Sequence, residues 1–271
     1  MNRRQAIALL LTVPLFTVTK TPSAFSQEIE IEVEQEKVLI LAYHHLSETM
    51  QSCSTIHPHD FEEHLRVLQN NHCNIIHFKD FCRWIEEDDF ALPSKSVLIT
   101  FDDGYASFYE KAFPLLQQYN YPSTQFIIVD QIDKEVPDAI PKLSWEQINE
   151  LEATNLVEIQ SHSYDAHYFD NGQARLVTMT EEELHVDFFR ARHYIRFHMN
   201  QHINKRVHAI SYPFGIYNQK VVEAAQHTSY QFGFTSNGSY VIKNQTNTLE
   251  IPRISADNLT AAQVEELLGD L

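Results

Sequence analysis

Short apolar runs alternate with amphipathic stretches along most of the chain. The apolar runs have the length of strands and lie at 38–43, 97–101, 124–129, 157–161, 207–211 and 232–235. Between them, helical spacing is clearest at 106–120, where apolar residues recur at Phe108, Ala112, Leu115 and Leu116. Strands and helices in alternation are typical of a mostly parallel sheet covered by helices. The pattern therefore predicts an α/β fold.

Three helix starts can be identified from capping-box spacing. In this motif a Ser or Thr and a Glu or Gln three residues later each accept a hydrogen bond from a backbone N–H of the first turn. The spacing occurs at Ser144 and Gln147, at Thr180 and Glu183, and at Thr260 and Gln263. Pro114 falls inside the stretch 106–120, where we expect a local distortion of the helix rather than its end.

The first 26 residues have the pattern of a cleaved signal peptide. Arg3 and Arg4 precede an apolar stretch at 6–18, and Ala24 and Ser26 are small residues of the kind that signal peptidase recognises. The apolar stretch is shorter than the ~20 residues that span a bilayer, so we expect no stable membrane insertion. An uncleaved anchor is the alternative. The pattern favours a secreted protein.

The rest of the chain divides into a lead and one domain. Residues 27–37 are polar and rich in Glu, so we expect a flexible lead before a single domain at 38–271. The chain has no CxxC spacing, and its three cysteines allow at most one internal disulfide among Cys53, Cys73 and Cys82.

The charge of the chain is strongly acidic. Its 37 acidic and 20 basic residues give a net charge of −17, and without residues 1–26 the 17 remaining basic residues would give −20. This balance argues against nucleic acid as a partner. It would attract a polycation, such as a glucosamine polymer that has lost acetyl groups. A merely solubilising acidic surface is the alternative.

Two carboxylates directly follow the apolar run 97–101. Adjacent side chains of a regular strand point to opposite faces, so Asp102 and Asp103 reach one site only if the backbone bends, which Gly104 permits. Like charges this close favour protonation unless a cation lies beside them. The pair therefore indicates a metal site, with an acidic turn of no function as the alternative.

Two histidines flank a polar loop after the run 157–161. His162 and His167 offer imidazoles, which are good ligands for zinc and neighbouring transition metals. One carboxylate and two imidazoles would complete a three-ligand site with positions left for water and substrate. Because the chain has 15 His, a chance pair is the alternative.

A third strand end runs into Tyr212, Pro213, Phe214 and Gly215. Proline makes such a turn rigid, so a main-chain N–H can point at a developing oxyanion, and aromatic rings there can support a sugar ring. Taken alone, the same sequence also suits an ordinary turn.

The three segments together resemble the polysaccharide deacetylases of the NodB-homology type, the family 4 carbohydrate esterases. The resemblance rests on TFDDGY at 100–105, the His162–His167 loop and YPFG at 212–215, and it extends from about residue 38 to the C-terminus. It implies a distorted (β/α)7-type barrel in a single domain. It also implies an enzyme that hydrolyses the N-acetyl amide of an amino-sugar polymer.

The resemblance assigns roles residue by residue. It implies Asp102 as the base, and it implies Asp103, His162 and His167 as ligands of one divalent metal ion. Zinc is the expected ion, and cobalt, nickel or iron(II) would suit the same ligands. Contacts with the substrate and the oxyanion are expected from Tyr105, Tyr212, Pro213, Phe214 and Gly215.

Three departures from the family pattern indicate a subgroup. The metal histidines are five residues apart rather than four, Ser211 stands where the third motif commonly begins with Arg, and no His follows His227. The first two departures are similar to the deacetylases of poly-β-1,6-N-acetyl-D-glucosamine, a biofilm exopolysaccharide. In that subgroup the acid His comes from the N-terminal side.

The subgroup resemblance names two further residues. It implies His44, in the segment 42–46, as the acid, whereas His45 would face away if the strand continues. It also implies that Arg253, in the segment 251–254, orients Asp102 in place of the absent Arg. The location would be the periplasm or cell surface of a bacterium, with exopolysaccharide synthesis or export proteins as separate chains.

Other functions fit the same motifs. A deacetylase of chitin oligomers or peptidoglycan, or an amide hydrolase of a small molecule, would use the same residues. A carbohydrate-binding protein without turnover could retain the fold.

Overall fold

The computed structural model describes residues 36–199 and 206–271. The predicted signal peptide and nearly all of the predicted lead lie outside these residues. The strands are β1 (Lys37–Tyr43), β2 (His45–Leu46), β3 (Thr55–Ile56), β4 (Asn74–Ile75), β5 (Ser96–Phe101), β6 (Ser123–Ile127), β7 (Val157–Ser161), β8 (Phe169–Asp170), β9 (Gln173–Ala174), β10 (Ala209–Ser211), β11 (Phe232–Phe234), β12 (Val241–Ile242) and β13 (Ile254–Ser255). The α-helices are α1 (Pro58–Asn70), α2 (Phe78–Glu86), α3 (Phe113–Tyr119), α4 (Trp145–Ala153), α5 (Arg175–Thr178), α6 (Glu181–His198), α7 (Gln219–His227) and α8 (Ala261–Leu268).

The central sheet has the strand order β11-β10-β7-β6-β5-β1-β12. Every neighbouring pair from β11 to β1 is parallel, and β12 joins β1 antiparallel. The six strands predicted from the apolar runs are the six parallel strands of this order. The sheet curls into a half-barrel, which confirms the predicted distorted (β/α)7-type barrel.

A segment near the C-terminus connects β11 to β1. The Ile251 N–H donates to the Gly233 carbonyl at 2.7 Å. Three residues later, β13 pairs in parallel with Leu41–Ala42 of β1. Residues 251–255 therefore bridge two distant strands at their carboxyl ends, and Arg253 lies between the two pairings.

Strand β1 separates two hydrophobic layers. Leu39, Leu41 and Tyr43 belong to the cluster that packs under helices α1, α3, α4 and α8, whereas Val38 and Ile40 belong to the cluster that includes residues of α2. All five are fully buried. Burial on both faces explains why the central strands appear in the sequence as continuous apolar runs rather than alternating ones.

The local predictions for the helices are confirmed. All three capping boxes form, at the starts of α4, α6 and α8. The predicted distortion at Pro114 is a π-helical turn, Phe108–Ala112, which precedes α3.

Cys53, Cys73 and Cys82 are free. Among residues 36–199 and 206–271, the longest apolar helical stretch falls short of a membrane span.

Gly233 lies where β11 meets two neighbours closely. A Cβ added there would collide with the Tyr212 hydroxyl and lie 2.5 Å from the Leu249 carbonyl oxygen. We expect Gly233→Ala to lower the free energy of unfolding by about 2–3 kcal/mol, as overpacking of a rigid core does. Denaturant unfolding measures this change.

Gly269→Ala is the control, because Gly269 ends α8 with an ordinary φ of −67°. We expect it to stay within about 0.5 kcal/mol of the parent chain. Equal destabilisation by the two substitutions would contradict the close approach at Gly233.

Candidate active site

The end of β5 brings two carboxylates into the barrel. Leu98 points into the barrel, and because side chains alternate along a strand, Thr100 and then Asp102 point the same way. Asp102 is buried. Asp103 then takes a left-handed backbone conformation, with φ 73°, followed by Gly104 with φ 69°. The predicted bend is present, and it begins one residue before the glycine. A non-glycine residue in this conformation stores backbone strain, which is common at functional sites.

Asp103, His162 and His167 converge at the carboxyl end of the sheet. One potential ligand atom from each lies within 4.8 Å of the others. Asp103 Oδ1 is 3.4 Å from His162 Nε2 and 3.2 Å from His167 Nε2. This oxygen is buried and has no hydrogen-bond partner among the described residues. A buried, unsatisfied carboxylate oxygen facing two imidazole nitrogens fits a cation ligand set.

Both imidazoles are held in the form that binds metals. His162 Nδ1 donates to the Ser211 carbonyl at 2.8 Å, so its Nε2 is directed to the cluster as an acceptor. Burial lowers the pKa of His167 to about 4, with Asp103 opposing, so this imidazole is neutral near pH 7. Burial alone would raise the pKa of Asp103, but the neighbouring His162, His167 and Lys142 outweigh it and hold the pKa well below its usual range.

Asp187 of α6 fixes the loop between the two histidines. Its carboxylate accepts the N–H groups of Tyr164 and Asp165, both at 2.9 Å. Burial raises the pKa of Asp187 to about 6, against the two backbone hydrogen bonds. The sequence analysis missed this residue. The sequence pattern that could have identified it is a single carboxylate among the apolar residues on the buried face of α6, next to Leu184 and Phe188.

Asp102 forms a bidentate ion pair with Arg253. The guanidinium donates to Oδ1 at 2.8 Å and to Oδ2 at 2.6 Å. Ser211, which occupies the position of the absent Arg, donates to Oδ2 at 2.9 Å and accepts from Arg253 at 2.7 Å. Burial alone would raise the pKa of Asp102, but the charge of Arg253 outweighs it and lowers the pKa below its usual range. The carboxylate is therefore ionised and fixed.

His44 is held by an acidic residue far along the chain. Asp257 Oδ2 lies 2.6 Å from His44 Nδ1, and Oδ1 accepts the His44 N–H at 3.0 Å. Burial alone would lower the pKa of His44, but the Asp257 hydrogen bond and the surrounding carboxylate charges raise it to about 9. The neighbouring His45 points elsewhere, to Ser107 and Gln51, each at 2.8 Å. No local pattern marked Asp257, which is 213 residues away.

The two aromatic residues of the turn at 212–215 were both expected to contact the substrate, but they differ in exposure. The Tyr212 side chain is fully buried and its hydroxyl donates to the Leu249 carbonyl at 3.0 Å, so this ring cannot support a substrate. Phe214 is exposed, with φ 60°, and its ring lies 4.1 Å from that of His167. Its N–H has no acceptor among the described residues, whereas the N–H groups of Tyr212 and Gly215 donate within the fold.

Pro213 and Gly215 shape this turn. Pro213 is buried and Gly215 takes φ 67°, where a Cβ would lie 2.8 Å from Ser236.

Tyr105 lies beside the carboxylates under Lys142, whose ammonium is 3.6 Å from the ring centroid. The same ammonium donates to the Asp103 carbonyl at 3.1 Å, and burial lowers the pKa of Lys142 to about 8.

The comparisons with known proteins agree with this geometry. The model of the polysaccharide deacetylase family matches residues 91–233, a range that contains both carboxylates, both histidines of the cluster and the turn. His44, Arg253 and Asp257 lie outside the matched range.

Two named relatives come from staphylococci. A poly-beta-1,6-N-acetyl-D-glucosamine N-deacetylase of Staphylococcus epidermidis is 28% identical over 200 residues, which covers 73% of this chain and 67% of the relative. A protein of the same name from Staphylococcus aureus is 27% identical over 195 residues, covering 72% of this chain and 65% of the relative. The chain thus spans about two thirds of the length of these relatives.

Solved structures share the fold. IcaB from Ammonifex degensii superposes with a TM-score of 0.77 at 24% identity, covering 87% of this chain and 98% of that one. A de-N-acetylase from Aggregatibacter actinomycetemcomitans gives a TM-score of 0.73 at 23% identity, covering 86% of this chain and all of the other.

Removing the Asp187 carboxylate should weaken metal binding without touching a ligand. We expect Asp187→Ala to reduce zinc affinity about tenfold or more, because the loop between His162 and His167 loses both anchors. Titration of the metal-free protein with zinc measures this. Glu182→Ala, at an exposed position of the same helix, is the control and should bind zinc normally. An unchanged affinity in Asp187→Ala would show that the loop is held by other contacts.

Proposed function

The chain belongs to the polysaccharide deacetylase family, and from this premise we propose that it removes N-acetyl groups from a polymer of N-acetylglucosamine, releasing acetate. The carrying observation is the cluster of Asp103, His162 and His167 beside the ionised Asp102. The staphylococcal relatives and the five-residue histidine spacing favour poly-β-1,6-N-acetyl-D-glucosamine as the substrate.

The metal ligands in this proposal are Asp103, His162 and His167. Their donor set suits zinc, and also cobalt, nickel or iron(II). A divalent cation held there supplies polarisation of an amide carbonyl and a lowered pKa for water. The unsatisfied Asp103 Oδ1 and the Nε2 atoms that face it support this assignment.

Asp102 acts as the base that accepts a proton from the attacking water. A base must be unprotonated and correctly placed, and Arg253 provides both conditions through its two hydrogen bonds. Arg253 is thus a positioning residue. It replaces the Arg that the family commonly has where Ser211 stands.

His44 acts as the acid that protonates the departing sugar amine. Its raised pKa keeps the imidazole protonated at neutral pH, and the bond to Asp257 orients the ring. The Phe214 N–H is the proposed donor to the oxyanion, since it faces no acceptor among the described residues. Tyr105 remains a predicted substrate contact.

The proposed cellular setting rests on the pattern of the N-terminal sequence. A signal peptide at 1–26 would place the enzyme outside the cytoplasm, in the periplasm or at the cell surface. The polymer would reach it from separate synthesis or export proteins.

The rate of acetate release can be compared between β-1,6-linked and β-1,4-linked oligomers. This comparison distinguishes the proposed substrate from chitin or peptidoglycan.

Asp102→Asn should strongly reduce acetate release while the protein still binds metal. The substitution keeps the side-chain shape but removes the proton acceptor, so we expect turnover to fall by about 10²–10⁴. His162→Ala should lose both metal and activity, because it removes a ligand. Acetate assays and bound-metal analysis measure both outcomes. Normal turnover in Asp102→Asn would refute its role as base.

Asp257→Asn should shift the alkaline limb of the pH profile. Because Asp257 raises the pKa of His44, the protonated acid persists up to about pH 9 and is lost above that value. Without the carboxylate charge the pKa of His44 falls, so kcat/KM should begin to decline at lower pH. A pH profile with an unmoved alkaline limb would exclude His44 as the titrating acid.

A further inference from the structure

Two exposed aromatic rings adjoin the metal ligands. Phe169 and Phe214 have 53% and 39% of their surface exposed, and their ring centroids are 4.5 Å apart. Phe214 also lies 4.1 Å from the ring of His167. The three rings form a continuous series that leads from a metal ligand out to solvent. We name Phe169 and Phe214 the aromatic platform.

We propose that the aromatic platform binds a sugar ring of the polymer adjacent to the unit that loses its acetyl group. This inference rests on the proposed function and deepens it, because it assigns a binding subsite beyond the reacting unit. Phe169 is the specificity-determining residue in this subsite.

The backbone that carries the platform is fixed at both residues. Phe169 begins the hairpin of β8 and β9, whose turn residues Asn171 and Gly172 have φ 49° and 79°, as in a tight two-residue hairpin. The carbonyl of Tyr168 accepts the Arg175 N–H at 2.9 Å. Phe214 is held in its left-handed conformation by the turn at 213–215. Rigid rings lose little conformational entropy on binding a ligand.

The chemistry of the platform suits a carbohydrate. Phe214 is stacked between His167 and Phe169, so the exposed ring face of the platform is that of Phe169. An aromatic face packs against the apolar C–H face of a pyranose, while the sugar hydroxyls stay in water. Two rings are far too small an area for a stable protein interface, which buries about 800 Å² per partner. The direct contact with His167 makes the platform continuous with the site at which the polymer reacts. Another sugar unit of the same polysaccharide molecule is therefore the occupant that fits the platform.

Such a subsite would contribute binding energy only to substrates that are long enough to reach it. We expect Phe169→Ala to raise KM for long β-1,6-linked oligomers about tenfold, the loss expected for one aromatic contact, with kcat nearly unchanged. A single N-acetylglucosamine unit should be hydrolysed equally by the parent and the variant. Phe169→Trp should restore the low KM, because it keeps the aromatic face.

Binding can be separated from turnover in the Asp102→Asn background. Calorimetric titration with oligomers of increasing length should show an affinity gain that Phe169→Ala removes. Phe197→Ala is the matched control, since Phe197 is a 72% exposed aromatic on α6 and should leave every value unchanged.

The outcomes distinguish the platform from the proposed function. A KM that Phe169→Ala leaves unchanged at every oligomer length would overturn the platform and leave the deacetylase intact. An equal loss on the single sugar unit would show a structural role for Phe169 and would also overturn it. If the parent protein releases no acetate from any N-acetylglucosamine oligomer, the proposed function itself fails.

Discussion

Two adjacent buried carboxylates are the constraint around which this protein is organised. Asp102 and Asp103 are 2% and 4% exposed, and like charges at that depth are unstable unless each has its own partner. The fold gives the two carboxylates different partners. Arg253 satisfies Asp102 with two hydrogen bonds, whereas Asp103 retains an oxygen directed at two imidazoles. The two neighbours therefore differ: Asp102 is fixed by an ion pair, and Asp103 belongs to a group of side chains that could hold a metal ion.

The curl of the sheet makes this arrangement possible. Residues 251–255 reach β1 only because β11 and β1 approach each other at their carboxyl ends, and this bridge carries Arg253 into the barrel. Ser211 at the end of β10 then needs no long side chain, because it joins a pair that is already formed. The charge beside Asp102 therefore comes from the segment 251–255 and not from the end of β10.

Two acidic residues outside the cluster of Asp103, His162 and His167 hold parts of the candidate site in place. Asp187 anchors the loop between the histidines through backbone N–H groups, and Asp257 orients His44 through both its backbone and its ring. Each replaces lost hydration with several directed hydrogen bonds, which is how a buried carboxylate is tolerated. Much of the strongly acidic composition lies on the surface, but these two side chains have defined internal partners.

The sequence by itself determined the elements and the residues of the possible metal site. Strand runs, capping boxes and the residues Asp102, Asp103, His162 and His167 depend on neighbours only a few positions away, so they can be read locally. Only the tertiary structure decided that Asp257 meets His44, that Asp187 holds the histidine loop and that the Tyr212 ring is buried. Those contacts join residues as far as 213 positions apart, and they depend on how the sheet curls. No local periodicity encodes that curl, because it results from the packing of all the strands together.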